Sequence, residues 1–341
     1  MLGHSGAGKT SYMASAYYRL HSGIFGGRKD VDGFGIKCLN PVDHSRLREL
    51  GKRISNGIFP LGTDQRSEYL FQMDFKKFGF GFMAARHELS QFVWADYRGG
   101  ALEEDTTNSS QARALLQDLN TADAIILFID SCTLTDGHSS PGRQLVKRLT
   151  NLLGNALQQR TSHFSVVIAL TKADLTNVSE KNLPAVLSPL LEALAGSTCS
   201  VSTVVPTSCV NECQHIEIPI LSVLSWWVIF EMYDVRCELE QLKAQISVAK
   251  KQIEDRDAMA SKYIGFAGLG NSLKCAFTGE ESHAAFLKRK KKELERLKMN
   301  ATKRREAMKP LYAPAKAVRE MIESRGFLIY GKHPALSSNT K

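Results

Sequence analysis

The stretch Gly3-His4-Ser5-Gly6-Ala7-Gly8-Lys9-Thr10 decides how the rest of this chain is read. It fits G-x-x-x-x-G-K-[ST] at every fixed position, the pattern in which a glycine-rich turn points backbone N–H groups at a phosphate. Lys9 supplies a positive point charge to the β- and γ-phosphates, and the Thr10 hydroxyl is placed to ligate Mg²⁺. A helix beginning here adds the partial charge of its N terminus to the same anion. The phosphate-binding residues on this reading are Gly3, Ser5, Gly6, Ala7, Gly8, Lys9, Thr10 and Ser11. Such a turn normally follows a buried strand, and only Met1 and Leu2 precede it here. The expectation is therefore that a short apolar strand lies upstream of Met1.

Outward from the turn, apolar runs alternate with amphipathic ones, the pattern of an α/β domain with a mainly parallel sheet. Strands are predicted over 68–78, 92–96, 124–130, 165–170 and 202–206, and helices over 9–20, 109–119, 142–159, 183–194 and from 218 onward. Two strand ends carry chemistry. In Phe92-Val93-Trp94-Ala95-Asp96-Tyr97-Arg98-Gly99-Gly100, an apolar strand ends in a carboxylate with a glycine three residues on. Asp96 suits a Mg²⁺ site, usually through water, and the Gly99 N–H suits the γ-phosphate. In Val167-Ile168-Ala169-Leu170-Thr171-Lys172-Ala173-Asp174, Asp174 can accept two hydrogen bonds from the N1–H and exocyclic amine of guanine. Adenine offers no such pair, and the Lys172 stem can lie over the purine face.

These three motifs, in this order, resemble the Ras-like GTPases of the translation-factor-related (TRAFAC) class, and in texture the bacterial "double-GTPase" families. The resemblance spans roughly residues 1–230 and implies a P-loop α/β fold, GTP/GDP with Mg²⁺ as ligands, and hydrolysis of GTP. It further implies that Ile129-Asp130-Ser131 ends the family's fourth strand, and that Ser208 and Cys209, in Val205-Pro206-Thr207-Ser208-Cys209, meet the guanine oxygen through the backbone. Thr63 stands where the family keeps its switch I threonine, a Mg²⁺ ligand. With Lys9 and Gly99 it makes up the catalytic set. Two positions depart from the pattern: Thr171 replaces the usual asparagine, and Gly100 replaces the glutamine that orients the attacking water. Glu103, Glu104, Arg98 or a partner's arginine would then have to complete the site.

The remainder of the chain differs in character. Met232, Val235, Leu239, Leu242, Ile246, Ala249 and Ile253 step by three and four, as a heptad seam does. Leu287, Leu294, Leu297, Ala301, Met308 and Leu311 repeat compatibly after a glycine-rich link over 263–277. The expected division is a nucleotide domain over 1–230 and a helical hairpin or coiled coil over 231–330. From residue 280 onward there are sixteen Lys and Arg against seven Asp and Glu, while the whole chain carries a net charge of +9. The basic excess is thus confined to the C-terminal part, where Lys288-Arg289-Lys290-Lys291-Lys292 is a solvated helix face or a contact for an anionic membrane surface. Few aromatics interleave with it, which argues against nucleic acid.

The apolar run over 218–230 is short for a membrane span and reads as a buried core helix. Seven cysteines without a C-x-x-C pair fit free thiols in a reducing cytoplasm. Cys209, Cys213 and His215 lack a second cluster with zinc spacing. The functional expectation is a GTPase switch with a helical effector arm and a protein effector or activating partner. The alternatives are a scaffold that binds nucleotide without turnover and a P-loop ATPase.

Overall fold

The structure is a computed structural model that describes residues 1–21, 34–62, 66–77, 85–97, 99–102, 109–134, 141–158, 160, 162–178, 185–198, 200–210, 215–262, 283–324 and 329–330. Thr63, Arg98, Glu103, Glu104, Cys213 and the link over 263–277 lie outside the described residues. By contacts the chain divides into two units, one of residues 1–230 and 313–341, the other of residues 231–312.

The first unit contains α1 (Lys9–His21), β1 (Phe34–Cys38), α2 (Pro41–Ser55), β2 (Ser67–Lys77), β3 (Ala85–Asp96), α3 (Ser110–Thr121), β4 (Ala124–Asp130), α4 (Pro141–Gln158), β5 (Phe164–Thr171), α5 (Ser188–Gly196) and β6 (Ser200–Pro206). The start of α6 (Ile218–Lys262), the end of α7 (His283–Ser324) and β7 (Ile329–Tyr330) also belong to it. The fold is α/β, as expected, but its strands form two sheets rather than one. β1-β2-β3 is antiparallel throughout, and β4-β5-β6-β7 is parallel except for β7, which runs antiparallel beside β6.

Residue pattern accounts for both sheets. In β4, β5 and β6 nearly every residue is buried, because helices cover both faces and neither face needs polar side chains. One apolar layer joins α1 and α6 to the sheets through Tyr12, Tyr17, Trp94, Phe128 and Ile220. The other joins α3, α4 and α5 through Leu115, Leu149, Ile168 and Leu190. Several bounds differ from expectation. β3 starts at Ala85 rather than near Phe92, since the hairpin with β2 continues past its apolar end. The helix expected from residue 183 begins at Ser188 after a single tight turn over Ala185–Leu187, where Pro189 sits in the first helical turn.

α6 is apolar and long enough, by composition, to cross a membrane. Its first turns are buried in the first unit through Ile220, Leu221, Leu224 and Val228, as a core helix requires. In the second unit, Val235 and Leu239 of α6 pack on Ala301 of α7, and Ala249 is also buried. The basic run lies on α7, where Lys290 pairs with Glu293 at 2.9 Å and Arg289 stands over the Phe286 ring.

Candidate nucleotide site

The glycine turn lies at the C-terminal ends of the parallel strands, held there by its own backbone. Gly6 and Gly8 adopt φ of 77° and 82°, a region open to glycine at little cost. Gly3 is needed for a different reason: a Cβ there would meet the Phe128 carbonyl oxygen at 2.4 Å. Gly99 presses equally closely, since its Cβ would stand 2.0 Å from the Ser5 nitrogen. The strand end bearing Asp96 is thereby fitted against the turn, with Gly99 and Gly100 in a tight turn just beyond.

Lys9 opens α1 and folds back, its Nζ donating to the Gly3 carbonyl at 2.9 Å and the His4 carbonyl at 3.1 Å. Burial pulls its pKa down, and the Asp96 carboxylate opposes that shift. The Thr10 hydroxyl donates to Asp96 Oδ2 at 2.9 Å. Asp96 is 1% exposed, and burial raises its pKa against the Thr10 hydroxyl and the Lys9 charge. Its second oxygen, Oδ1, is buried and has no hydrogen-bond partner. A hydroxyl and a carboxylate sharing one bond, with a carboxylate oxygen left over, form a hard-oxygen donor set that fits Mg²⁺.

A cavity of about 440 Å³ opens over these groups, within the range of nucleotide-sized sites. Ser5, Gly6, Gly8, Lys9, Thr10 and Ser11 line one end. Thr171, Lys172, Asp174, Thr207, Cys209 and Val210 line the other, and Gly99 with the 59–62 segment forms a wall. The two motifs that sequence separates by more than a hundred and sixty residues thus face one volume.

The far end is built from the loops that follow β4, β5 and β6. Lys172 takes a left-handed backbone, φ 56°, which turns the chain sharply after β5. Its Nζ is held by Asp130 Oδ2 at 2.5 Å, so the stem is steered by an ion pair that strand-end reading does not reveal. Thr171, at the place of the usual asparagine, turns inward: its hydroxyl donates to the Ile129 carbonyl at 3.3 Å, and its carbonyl accepts from Ser131 at 2.6 Å. Thr171 therefore fastens β5 to β4 through side chain and carbonyl alike. The Ala173 N–H donates to the Thr207 carbonyl at 3.2 Å, tying the loop after β5 to the loop after β6.

Of the expected residues, Ser208 is buried and its hydroxyl donates to the Val210 carbonyl at 3.0 Å, which shapes the turn. Gly3 and Ala7 likewise support the turn rather than line the cavity. Sequence reading missed Asp130 as the anchor of Lys172, and the wall of Phe59, Pro60, Leu61 and Gly62. Leu61 is 93% exposed at that wall.

A phosphate-cradling turn at a helix start, an acidic strand end against it and a carboxylate at the far end of the same cavity define a P-loop nucleotide-binding domain. The family is narrower still. Residues 65–227 match the model of the family described as Double-GTPase 2, and this domain is a P-loop GTPase domain of the double-GTPase type. The match starts after the glycine turn, so the phosphate end rests on the turn's own geometry. Comparison with curated proteins and with solved structures gives no match.

Proposed function

We propose that this chain binds GTP with Mg²⁺, hydrolyses it to GDP and phosphate, and works as a nucleotide-dependent switch. The observation that carries the reading is the shared cavity, with Lys9 and Thr10 at one end and Asp174 at the other. In this reading the triphosphate displaces the Gly3 and His4 carbonyls from the Lys9 ammonium. The loop amides and the α1 N terminus then share the phosphate charge with it. Thr10, Asp96 and Thr63 would hold Mg²⁺, which neutralises charge on the β- and γ-phosphate oxygens when bound. The Gly99 N–H donates to the γ-phosphate, and Asp174 accepts from the guanine edge. Gly100 has no side chain with which to orient water, so a partner's arginine or a neighbouring acidic residue supplies the missing group.

The effector arm is the helical pair of α6 and α7, associating as a coiled coil, with the basic face of α7 meeting an anionic membrane surface in the cytoplasm. Supporting the arm is the continuity of α6, whose first turns pack in the nucleotide domain's core. Binding of fluorescent GTP and ATP analogues, followed by phosphate release, tests the reading. GTP preference with turnover, alone or with a partner, is expected. Equal affinity for both purines would defeat it, and tight GTP binding that never releases phosphate would favour a scaffold.

A further inference from the structure

β6 departs from the rule that a parallel strand covered on both faces is apolar throughout, because Ser202 and Thr203 are fully buried in its middle. Side chains alternate along it: Val201 and Val205 meet residues of α6, and Val204 lies in the layer of α3, α4 and α5. Each of the two hydroxyls finds a different partner. On the α6 face, the Trp226 Nε1–H donates to Thr203 Oγ1 at 3.4 Å, and Trp226 and Phe230 pack with Val201. Ser202 Oγ donates instead to the Tyr330 carbonyl at 3.4 Å, and Tyr330 packs against the layer that holds Val204. β7 pairs with β6 at these same two positions, Tyr330 opposite Ser202 and Ile329 opposite Thr203.

Trp226 and Tyr330 are more than a hundred positions apart in sequence. They mark where the chain leaves the first unit, after Phe230, and where it has returned to it, from Ala313 onward. Both ends of the excursion therefore bear on one strand, and that strand leads to the nucleotide cavity. Just beyond β6 the Thr207 N–H donates to the Leu170 carbonyl at 2.7 Å, and the Thr207 carbonyl accepts from the Ala173 N–H. Thr207, Cys209 and Val210 line the cavity at the end where Asp174 stands. From Thr203 to Thr207 is about 13 Å at the usual strand rise. Both hydroxyl bonds are longer than the common range, so each is weak and the hold can be released.

We propose that Trp226, Ile329 and Tyr330 are positioning residues for the nucleotide: they hold β6, and through it the 207–210 loop against the base, so that loosening either hold speeds nucleotide release. The proposal rests on the reading that this loop meets the guanine. Because the loop stands at the base and not at the triphosphate, GDP and GTP are affected alike, and hydrolysis of bound GTP is not. Coupling of this kind is reciprocal, so a bound nucleotide favours the docking of β7 in turn. The segments that carry the helical pair thereby act on nucleotide retention at the end of the cavity away from Lys9. A partner that draws on the pair would shorten the lifetime of the bound nucleotide without touching the phosphate site.

The test uses the full chain loaded with fluorescent GDP or a fluorescent non-hydrolysable GTP analogue, and reads release into excess unlabelled nucleotide. Thr203→Val keeps the side-chain shape and removes the Trp226 bond. Tyr330→Pro disrupts the pairing of β7, and Ser202→Ala, a milder change, serves the same hold where proline prevents folding. Each should speed release of both nucleotides by at least about twofold and by the same factor, while single-turnover hydrolysis of bound GTP keeps its rate. Val146→Ala, a core change on α4, should lower the melting temperature and leave release as it is. Amide exchange over 329–330 should slow when GDP binds. Release at the wild-type rate from either hold's variant would overturn the proposal, as would a change confined to GTP or an equal change in Val146→Ala. If the wild-type chain retains neither nucleotide, the reading of the cavity fails and the proposal falls with it. If it retains both and the variants release them at its own rate, the proposal alone fails.

Discussion

Lys9 is buried and, among the described residues, donates to carbonyls of its own turn, at 2.9 and 3.1 Å. Those bonds are neutral on the acceptor side, and a phosphate oxygen offers a stronger, charge-assisted partner. Lys9→Ala should therefore cost at least about a hundredfold in triphosphate affinity, since hydrogen bonds to charged groups contribute about 1.5–3 kcal/mol each. Because burial already disfavours the ammonium, the same change should not lower the melting temperature of the free protein. Calorimetric titration beside a melting curve separates the two effects. At the other end of the cavity, Asp174→Asn replaces one acceptor by a donor. Xanthine carries a carbonyl where guanine carries its amine, so this variant should prefer XTP to GTP, and retained GTP preference would remove Asp174 from the base contact. Lys9, Thr10 and Asp96 were legible in the sequence because their chemistry is local: a turn, a helix start and a strand end. Asp130 was not legible as the anchor of Lys172, because the pair lies 42 positions apart and meets only through the β4–β5 register. Nor was the 59–62 wall, which has no motif of its own.

Among the elements, the strand end after Asp96 is tied sideways to α3. The Tyr97 hydroxyl donates to Asp118 Oδ2, Arg66 donates to the same oxygen at 2.7 Å, and the Arg66 guanidinium stands over the Tyr97 ring. Burial, reinforced by Asp118, pushes the Tyr97 phenol up to about 12, while the Tyr97 and Arg66 hydrogen bonds hold the Asp118 carboxyl below its usual range. Arg66 starts the chain after the Thr63 segment and Tyr97 precedes Gly99, so this cluster joins the two loops that the proposed switch would move. Tyr97→Phe keeps the buried ring and deletes the bond. It should cost about 1 kcal/mol in chemical denaturation, toward the low end because Asp118 is partly open to water. No change in denaturation midpoint would show that the tie is idle. The sequence made β4 to β6 and α6 plain because a run buried on both faces is apolar throughout. It left β1 and α2 unread. β1 is a five-residue edge strand in which Ile36 and Cys38 are buried between less buried neighbours, Gly35 and Lys37. α2 buries only Leu47, Gly51 and Ile54, although its start carries a sound signal, Asn40 accepting from the Val42 N–H at 2.9 Å ahead of Pro41.

At the scale of the whole molecule, the start of α6 shares one core with α1 of the nucleotide domain. The longer-range question is whether the helical pair senses the nucleotide. α6 runs unbroken from Ile218 to Lys262, and Ile220, Leu221 and Leu224 share one core with Tyr12 of α1, whose hydroxyl accepts from the Ile220 N–H at 3.0 Å. α1 begins at Lys9 and Thr10, so a shift at the phosphate end has a packed route into α6. Amide exchange over 231–262 in the full chain, with Mg²⁺ and a non-hydrolysable GTP analogue and again with GDP, should therefore differ between the two states. The difference should vanish in Lys9→Ala, which cannot hold the triphosphate. If exchange over 231–262 is the same in both nucleotides while the 59–62 and 99–102 segments respond, the nucleotide acts only locally and the helical pair is a passive extension.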